Sequence, residues 1–410
     1  MGLPSAWAEE DLPDLELETG GVRTGGYLQF DMARTYVQPE HWSMARARAE
    51  VSATGGGSGF KWKVSGRGDV DGVFAIDNGF YPDAVRRDQQ YQFDLRETYL
   101  DFSAGDVDFR LGRQHVVWGE MVGLFFADVV SARDLRSFYL PSFDQLRIPQ
   151  WAARAETYFG ETHAELLWIP VPSYDRIGKP GAEFYPVRPP AGVTVLGEAK
   201  PDNSLGNTNW GGRLSRMIGG WDMSGFYYRS MDVSPAFYLE AGALQARHER
   251  INQLGGTLTK DFGDFVLKGE VVRTNGRKVS NLWAPQGLAP QEQTDYVVGI
   301  DVPTFNDGRV NIQYFARRTH DLDRGTGLEK TEGGVSLLLA TRLTKGWEAE
   351  ALLVSMLQRT DYMFRPKVTW TASRSWRLTF GVDVFGGEQV GLFGRYDDRD
   401  RIYTEARWSF

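Results

Sequence analysis

The sequence predicts an all-β protein: a transmembrane antiparallel β-barrel of about eighteen strands, with sixteen also compatible. Three observations carry this expectation. Apolar and polar residues alternate with period two along many short segments, which puts one face of each segment against lipid and the other against water. No stretch approaches the ~18 consecutive apolar residues that a membrane helix needs. Short turns alternate with long loops along the chain, as in barrels with periplasmic turns and extracellular loops.

The alternation is plain in several places. Ala45, Ala47, Ala49 and Val51 interleave with Arg46, Arg48, Glu50 and Ser52, and Phe60, Trp62 and Val64 with Lys61, Lys63 and Ser65. Near the end, Trp376, Leu378, Phe380, Val382 and Val384 interleave with Arg377, Thr379 and Asp383. Segments of roughly ten residues, enough for a tilted strand to cross a bilayer, fall at 25–36, 43–53, 59–70, 90–102, 107–118, 150–159, 162–170, 208–218 and 221–230. The others lie near 247–260, 264–273, 294–303, 308–318, 332–343, 347–358, 362–371, 375–385 and 401–410. Between them, short turns at 103–106, 160–161, 219–220, 261–263, 344–346 and 372–374 alternate with loops at 71–89, 119–149, 171–207, 274–293 and 386–400. Trp221, Trp347, Trp370, Trp376, Trp408 and Phe410 cluster beside the short turns, where amphipathic rings favour the membrane interface.

Composition narrows the alternatives. The mean hydropathy of −0.39 looks soluble but also suits a barrel with a polar interior. A soluble propeller or sandwich would put its charges outside, which leaves too many Arg and Lys at strand centres. With no cysteine, disulfides, iron–sulfur clusters and thiolate metal sites are excluded. Residues 1–8, with Ser5, Ala6 and Ala8 before Glu9 and Glu10, are expected to be the remnant of a secretory signal, a disordered cytoplasmic tail being the alternative. Residues 9–22 form an acidic segment ahead of a barrel over 23–410.

Two stretches look familiar. The run from Leu111 through Gly112, Arg113, Gln114, His115 and Trp118 to Glu120, continuing to Asp134 and Arg136, resembles a porin-like proteobacterial outer-membrane family of unknown function. Leu95, Arg96, Glu97, Thr98, Tyr99, Leu100, Asp101 and Phe102 fit it as well, so the match covers about 90–180. The resemblance implies the outer membrane of a Gram-negative bacterium and no catalytic residues, and hints at a periplasmic or envelope-transport partner. Ile402, Ala406, Trp408 and the terminal Phe410 resemble the signal read by the barrel-assembly machinery, with Thr404 interrupting the apolar face.

Motifs for chemistry are scarce. The histidines are scattered without metal-ligand spacing. His163 and Glu165 share a strand face but lack a convincing nucleophile. Asp397, Asp398 and Asp400 read as a solvated loop tip rather than a calcium site, and no nucleic-acid signature is present. The proline-rich segment 171–207 is expected to form an extended loop, either over the pore or merely exposed.

The resulting expectation is a non-enzymatic channel without cofactors, passing small to medium polar, anionic solutes. A barrel scaffold that encloses or docks a protein or lipid partner is the alternative. Alternation points Arg46, Arg48, Lys61, Lys63, Arg67, Arg110, Arg154, Arg213, Arg365, Lys367 and Arg377 into the lumen, where a basic wall concentrates anions. Glu97 and Arg113 are expected to pair across a hairpin, turned inward by a bulge at Gly112. Loop 119–149 is too apolar to remain in water and is expected to fold inward as a constriction, with Glu120, Asp128, Arg133, Asp134 and Arg136 as its polar residues and Asp128 capping a short helix. A subunit interface within a homo-oligomer would satisfy the same apolar residues.

Overall fold

The computed structural model describes residues 21–119, 121, 126–189, 192–281, 283–323 and 325–410. Eighteen strands form one antiparallel sheet closed on itself. In chain order the first six are β1 (Arg23–Thr35), β2 (His41–Gly57), β3 (Phe60–Asp71), β4 (Tyr91–Ala104), β5 (Val107–Gln114) and β6 (Gln150–Phe159). Next come β7 (Thr162–Val171), β8 (Asn209–Ile218), β9 (Trp221–Met231), β10 (Arg250–Asp261), β11 (Val266–Asn275) and β12 (Gln293–Thr304). The last six are β13 (Gly308–Thr319), β14 (Thr331–Thr344), β15 (Trp347–Met356), β16 (Asp361–Thr371), β17 (Trp376–Gly387) and β18 (Arg401–Ser409). β5 stops at Gln114 rather than running to 118, because the chain there turns into the lumen.

Each strand pairs with its sequence neighbours, and β1 pairs with β18 from Tyr27↔Ser409 to Thr35↔Arg401. Closure leaves no free edge, so every strand finds backbone partners on both sides without water. No described helix is long and apolar enough to cross a membrane.

The sheet is inside-out relative to a soluble barrel. On β1, Leu28, Phe30 and Met32 face outward and stay exposed, while Gln29 and Asp31 are buried inside. Ile402, Phe380, Leu339 and Ile312 continue the apolar outer belt. At one end the strands turn tightly, as at 219–220 between β8 and β9, where Gly219 and Gly220 both take positive φ (58° and 79°), the geometry a two-residue hairpin turn demands. Beside these turns Trp347 and Trp370 stack at 5.5 Å, and Trp408 packs on Phe410 at 5.0 Å.

One strand departs from simple alternation. β4 bulges opposite Ser65, where the register jumps from Val64↔Thr98 to Gly66↔Leu95. The extra residue flips the faces, so Glu97 and Tyr99 turn inward: Glu97 meets Lys63 on β3, and the Arg110 guanidinium lies 4.1 Å from the Tyr99 ring. The bulge therefore sits at Arg96 and Glu97, not at Gly112. The expected Glu97–Arg113 pair does not form. The β4–β5 turn is the two residues 105–106, which places Arg113 opposite Thr98, and Glu97 bonds Lys63 Nζ at 2.6 Å instead.

Candidate functional site

The hydrophobic core lies in the lumen, built from wall residues and loops folded onto them. After β5 the described residues 115–119, 121 and 126–149 lie within the barrel. Val116, Trp118, Ala127, Val129 and Val130 pack against Ala152, Leu167, Ile169, Phe226, Tyr228 and Val272 on the β6–β11 wall. Met121, Phe138 and Leu140, joined by Phe184 of the 172–208 connection, pack against Val297, Phe315, Val354, Met363 and Phe385 on the β12–β17 wall. The loop thus spans from one side of the lumen to the other. Burying these side chains is favourable by about 1.5–3 kcal/mol each, enough to hold an otherwise irregular segment.

Polar wall residues fix the loop backbone. Glu270 accepts N–H bonds from Met121 and Ala127, both at 2.9 Å. Glu165 accepts from Trp118 Nε1 at 2.9 Å. From the opposite wall, Arg365 donates to the carbonyls of Tyr139 (3.3 Å) and Leu140 (2.8 Å). From β2–β4, Arg48 donates to Gln145 Oε1 at 2.9 Å, Arg67 to the Gln145 carbonyl at 3.3 Å, and Arg96 to the carbonyls of Asp144 and Arg147 at 2.7 and 2.9 Å. Loop carbonyls need donors once they leave water, and guanidiniums supply several from one side chain.

Within the loop, Asp134 caps the single 3₁₀ turn Leu135–Ser137 by accepting from Arg136 N. Asp128 does not cap a helix; it takes Arg147 Nε at 2.9 Å, and its carbonyl accepts from Arg133. Burial opposes ionisation of Asp134, but Arg136 and Arg176 outweigh it and hold its carboxyl below the usual carboxylate range. Glu120 lies outside the described residues, as do residues 9–20 of the acidic segment.

The inward cations form a ladder with inward acids. Arg46 meets Asp31 at 3.0 Å, Arg48 meets Asp69 at 2.7 Å, Arg67 meets Glu50 at 2.7 Å and Arg110 meets Asp101 at 2.6 Å. Lys367 meets Glu350 at 2.9 Å, and Arg365 shares Asp383 with Arg401 at 2.7 and 2.9 Å. Arg154 approaches Glu156 at 3.4 Å, and Arg213 stands opposite Glu165 in register. Lys61 and Arg377 lie towards the turn end, opposite Asp101 and Arg407 respectively. Much of the basic wall is therefore compensated. Sequence reasoning missed Glu270 and Asp383 as anchors, since a lone acid on a strand says nothing of what it will hold.

The groups considered for chemistry are engaged elsewhere. His163 stands 3.5 Å from Ser215 and 3.8 Å from Glu156, while Glu165 is taken by Trp118. Asp400 accepts from Phe385 N at 2.7 Å and Asp398 faces Arg399, so the loop acids do not converge. Among the described residues no cluster of His, Cys, Asp or Glu could hold a metal ion.

An eighteen-strand barrel with an apolar outer belt and loops folded into its lumen has the architecture of a porin-like outer-membrane protein of a Gram-negative bacterium. The family model described as "protein of unknown function (DUF1302)" matches residues 27–326, and the chain belongs to that family. Among solved structures, Acinetobacter baumannii OccAB1 aligns over 98% of this chain and 98% of its own, with TM-score 0.59 and 8% identity. OccAB4 of the same organism aligns over 96% and 99%, with TM-score 0.58 and 9% identity. Pseudomonas aeruginosa OccK2 (OpdF), solved in complex with glucuronate, aligns over 96% and 98%, with TM-score 0.53 and 9% identity. At these identities the likeness is one of fold. No curated protein matches the sequence.

Proposed function

We propose that the barrel is a passive channel for small to medium polar, anionic solutes, with its long loops extracellular and its turns periplasmic. The observation that carries this is the row of guanidiniums, Arg48, Arg67, Arg96 and Arg365, set around the level where the loop narrows the lumen. Each is held by the loop or an acid, yet its field still adds to the potential that a solute crosses in a low-dielectric cylinder. Lys61 and Lys63 with Arg46 extend the positive wall on β2 and β3. Glucuronate, the molecule bound by the fold relative OccK2, is a suitable first probe. β18, with Ile402, Ala406 and Trp408 outward and Phe410 terminal, is the assembly signal in this reading.

Reversal potentials in a planar bilayer across a KCl gradient test the reading. Anion selectivity that weakens at high salt is expected, because exposed charges are screened; cation selectivity overturns it. One observation favours a second reading: both walls are bridged by apolar loop contacts, as in a closed barrel that serves as a docking scaffold. Absence of current with intact, folded protein would favour that reading.

A further inference from the structure

We infer that the junction of β4, β5 and the constriction loop is a binding site for one small inorganic anion of the halide class. A largely enclosed cavity of about 10 Å³ lies there, lined by Arg96, Arg113, Arg176, Asp94, Arg48 and Asp69 among others. Its acids already have partners. Asp69 is held by Arg48, Asp94 by both terminal nitrogens of Arg176, and Glu50 nearby by Arg67. Asp134 is held by Arg136. Arg96 and Arg113 are left: among the described residues neither has a carboxylate within ion-pair distance.

Arg96 is only 5% exposed. Its two terminal nitrogens bond the carbonyls of Arg147 and Asp144, and its Nε has no partner. The Nε of Arg113 has none either. The Asp144 carboxylate interacts with Arg67 and Arg407 instead. Glu50 and Asp94 act on Arg96 only from a distance, so a buried guanidinium that bonds only neutral carbonyls keeps its charge only partly compensated, which is unfavourable in a low-dielectric interior. A counter-charge is what the cavity lacks.

Size decides its class. The space matches about one water-sized sphere, too little for phosphate, sulfate or a sugar acid, so a monatomic anion such as chloride is the class that fits, with bromide entering as the flexible arginine side chains give way. A halide there would join β4 and β5 to the loop carbonyls that Arg96 already holds, and so help to seat the constriction. The site is independent of permeation, because a barrel that passes no current would still bind the ion.

The test uses the full-length protein in detergent at constant ionic strength, with sodium chloride replaced stepwise by sodium gluconate, whose anion is too large for the cavity. Thermal unfolding should shift upward and saturate with chloride, as for any ligand of the native state alone. Arg113→Gln should abolish the shift. Arg96→Gln should do so too, but it also removes two loop bonds, so Arg113→Gln is the decisive variant. Crystals grown with sodium bromide should show an anomalous peak between Arg96 and Arg113. Unfolding indifferent to chloride, or crystals with bromide absent from this cavity, overturns the inference.

Discussion

Arg365 of β16 bonds Asp383 of β17 through Nε at 2.7 Å and gives its terminal nitrogens to the loop between β5 and β6, at the carbonyls of Tyr139 and Leu140. Asp383 is fully buried and also takes Arg401 at 2.9 Å. One carboxylate therefore pairs with two guanidiniums, leaving the trio one net positive charge, and keeps one of them aimed at the loop.

Asp383→Asn leaves both arginines without their acid. Breaking a buried charge pair from one side costs about 3–5 kcal/mol. The variant should unfold at lower temperature in detergent than wild type, and its loop should become more open to proteolysis around 138–147. An unchanged unfolding temperature would mean that the ion pair contributes no net stability.

The barrel was legible in the sequence because its signal is local. Alternation on β2, β3 and β17 fixes which face meets lipid, and one residue's face fixes its neighbours'. The apolar residues of loop 119–149 likewise declared that the segment needed a surface. What stayed hidden was register and long-range pairing. The β4 bulge at Arg96 and Glu97 reverses the faces beyond it; the switch from Phe93 and Leu95 to Leu100 and Phe102 marks that a bulge is needed but does not say which strand carries it. The two-residue turn at 105–106 moves Arg113 past Glu97 to Thr98, so counting from Gly105 names the wrong pair. Arg365 and Tyr139 are separated by 226 positions, and nothing near either residue encodes their contact.

Acid should loosen the long loops at the end of the barrel opposite the tight turns. Glu183, in the connection from β7 to β8, is buried and accepts from His41 Nε2 and from Tyr81 OH, both at 3.0 Å. Arg399 of the 388–400 loop stands 3.7 Å away. Burial opposes its ionisation, but the His41 hydrogen bond and the Arg399 charge prevail and hold its carboxyl below the usual range. A lowered folded-state pKa means that the contribution is complete above the unfolded value of about 4.3 and is lost as pH falls through the lower folded value. Single-channel recordings from neutral pH to about pH 3 should show an opening or noise transition below pH 4.3 that Glu183→Gln removes. A transition that persists in that variant must come from another carboxylate.

Asp361, the first residue of β16, organises the 388–400 loop. Its carboxylate accepts the N–H groups of Leu392, Phe393 and Gly394 at 2.7, 2.8 and 2.8 Å. Those bonds seat Phe393 and Tyr396 against the apolar wall cluster. Asp361→Ala should cost about 3 kcal/mol of local stability, since buried N–H groups lose a charged acceptor. Hydrogen exchange should quicken at 391–396 while β16 and β17 keep their protection. Protection of the loop equal to wild type would show that packing alone holds it.

Glu270 is the sharpest test of whether the loop limits flow. It faces the lumen from β11 and holds both ends of the 121–127 segment, at Met121 N and Ala127 N. The bonds are charge-assisted and shielded from water, so each is stronger than an exposed amide bond. Glu270→Gln keeps the shape but can accept through only one oxygen, whereas Glu270→Ala removes both acceptors. Loss of one acceptor should cost about 1–3 kcal/mol and loss of both more, while the eighteen-strand ladder remains intact. Conductance should therefore rise in the order wild type, Glu270→Gln, Glu270→Ala, with the folded barrel still heat-modifiable on gels. In the proposed anion channel, selectivity should fall in the same order, as the loop held by Glu270 moves away from the wall arginines. If conductance stays at the wild-type level in Glu270→Ala, the anchoring of Met121 and Ala127 does not limit the flow of ions.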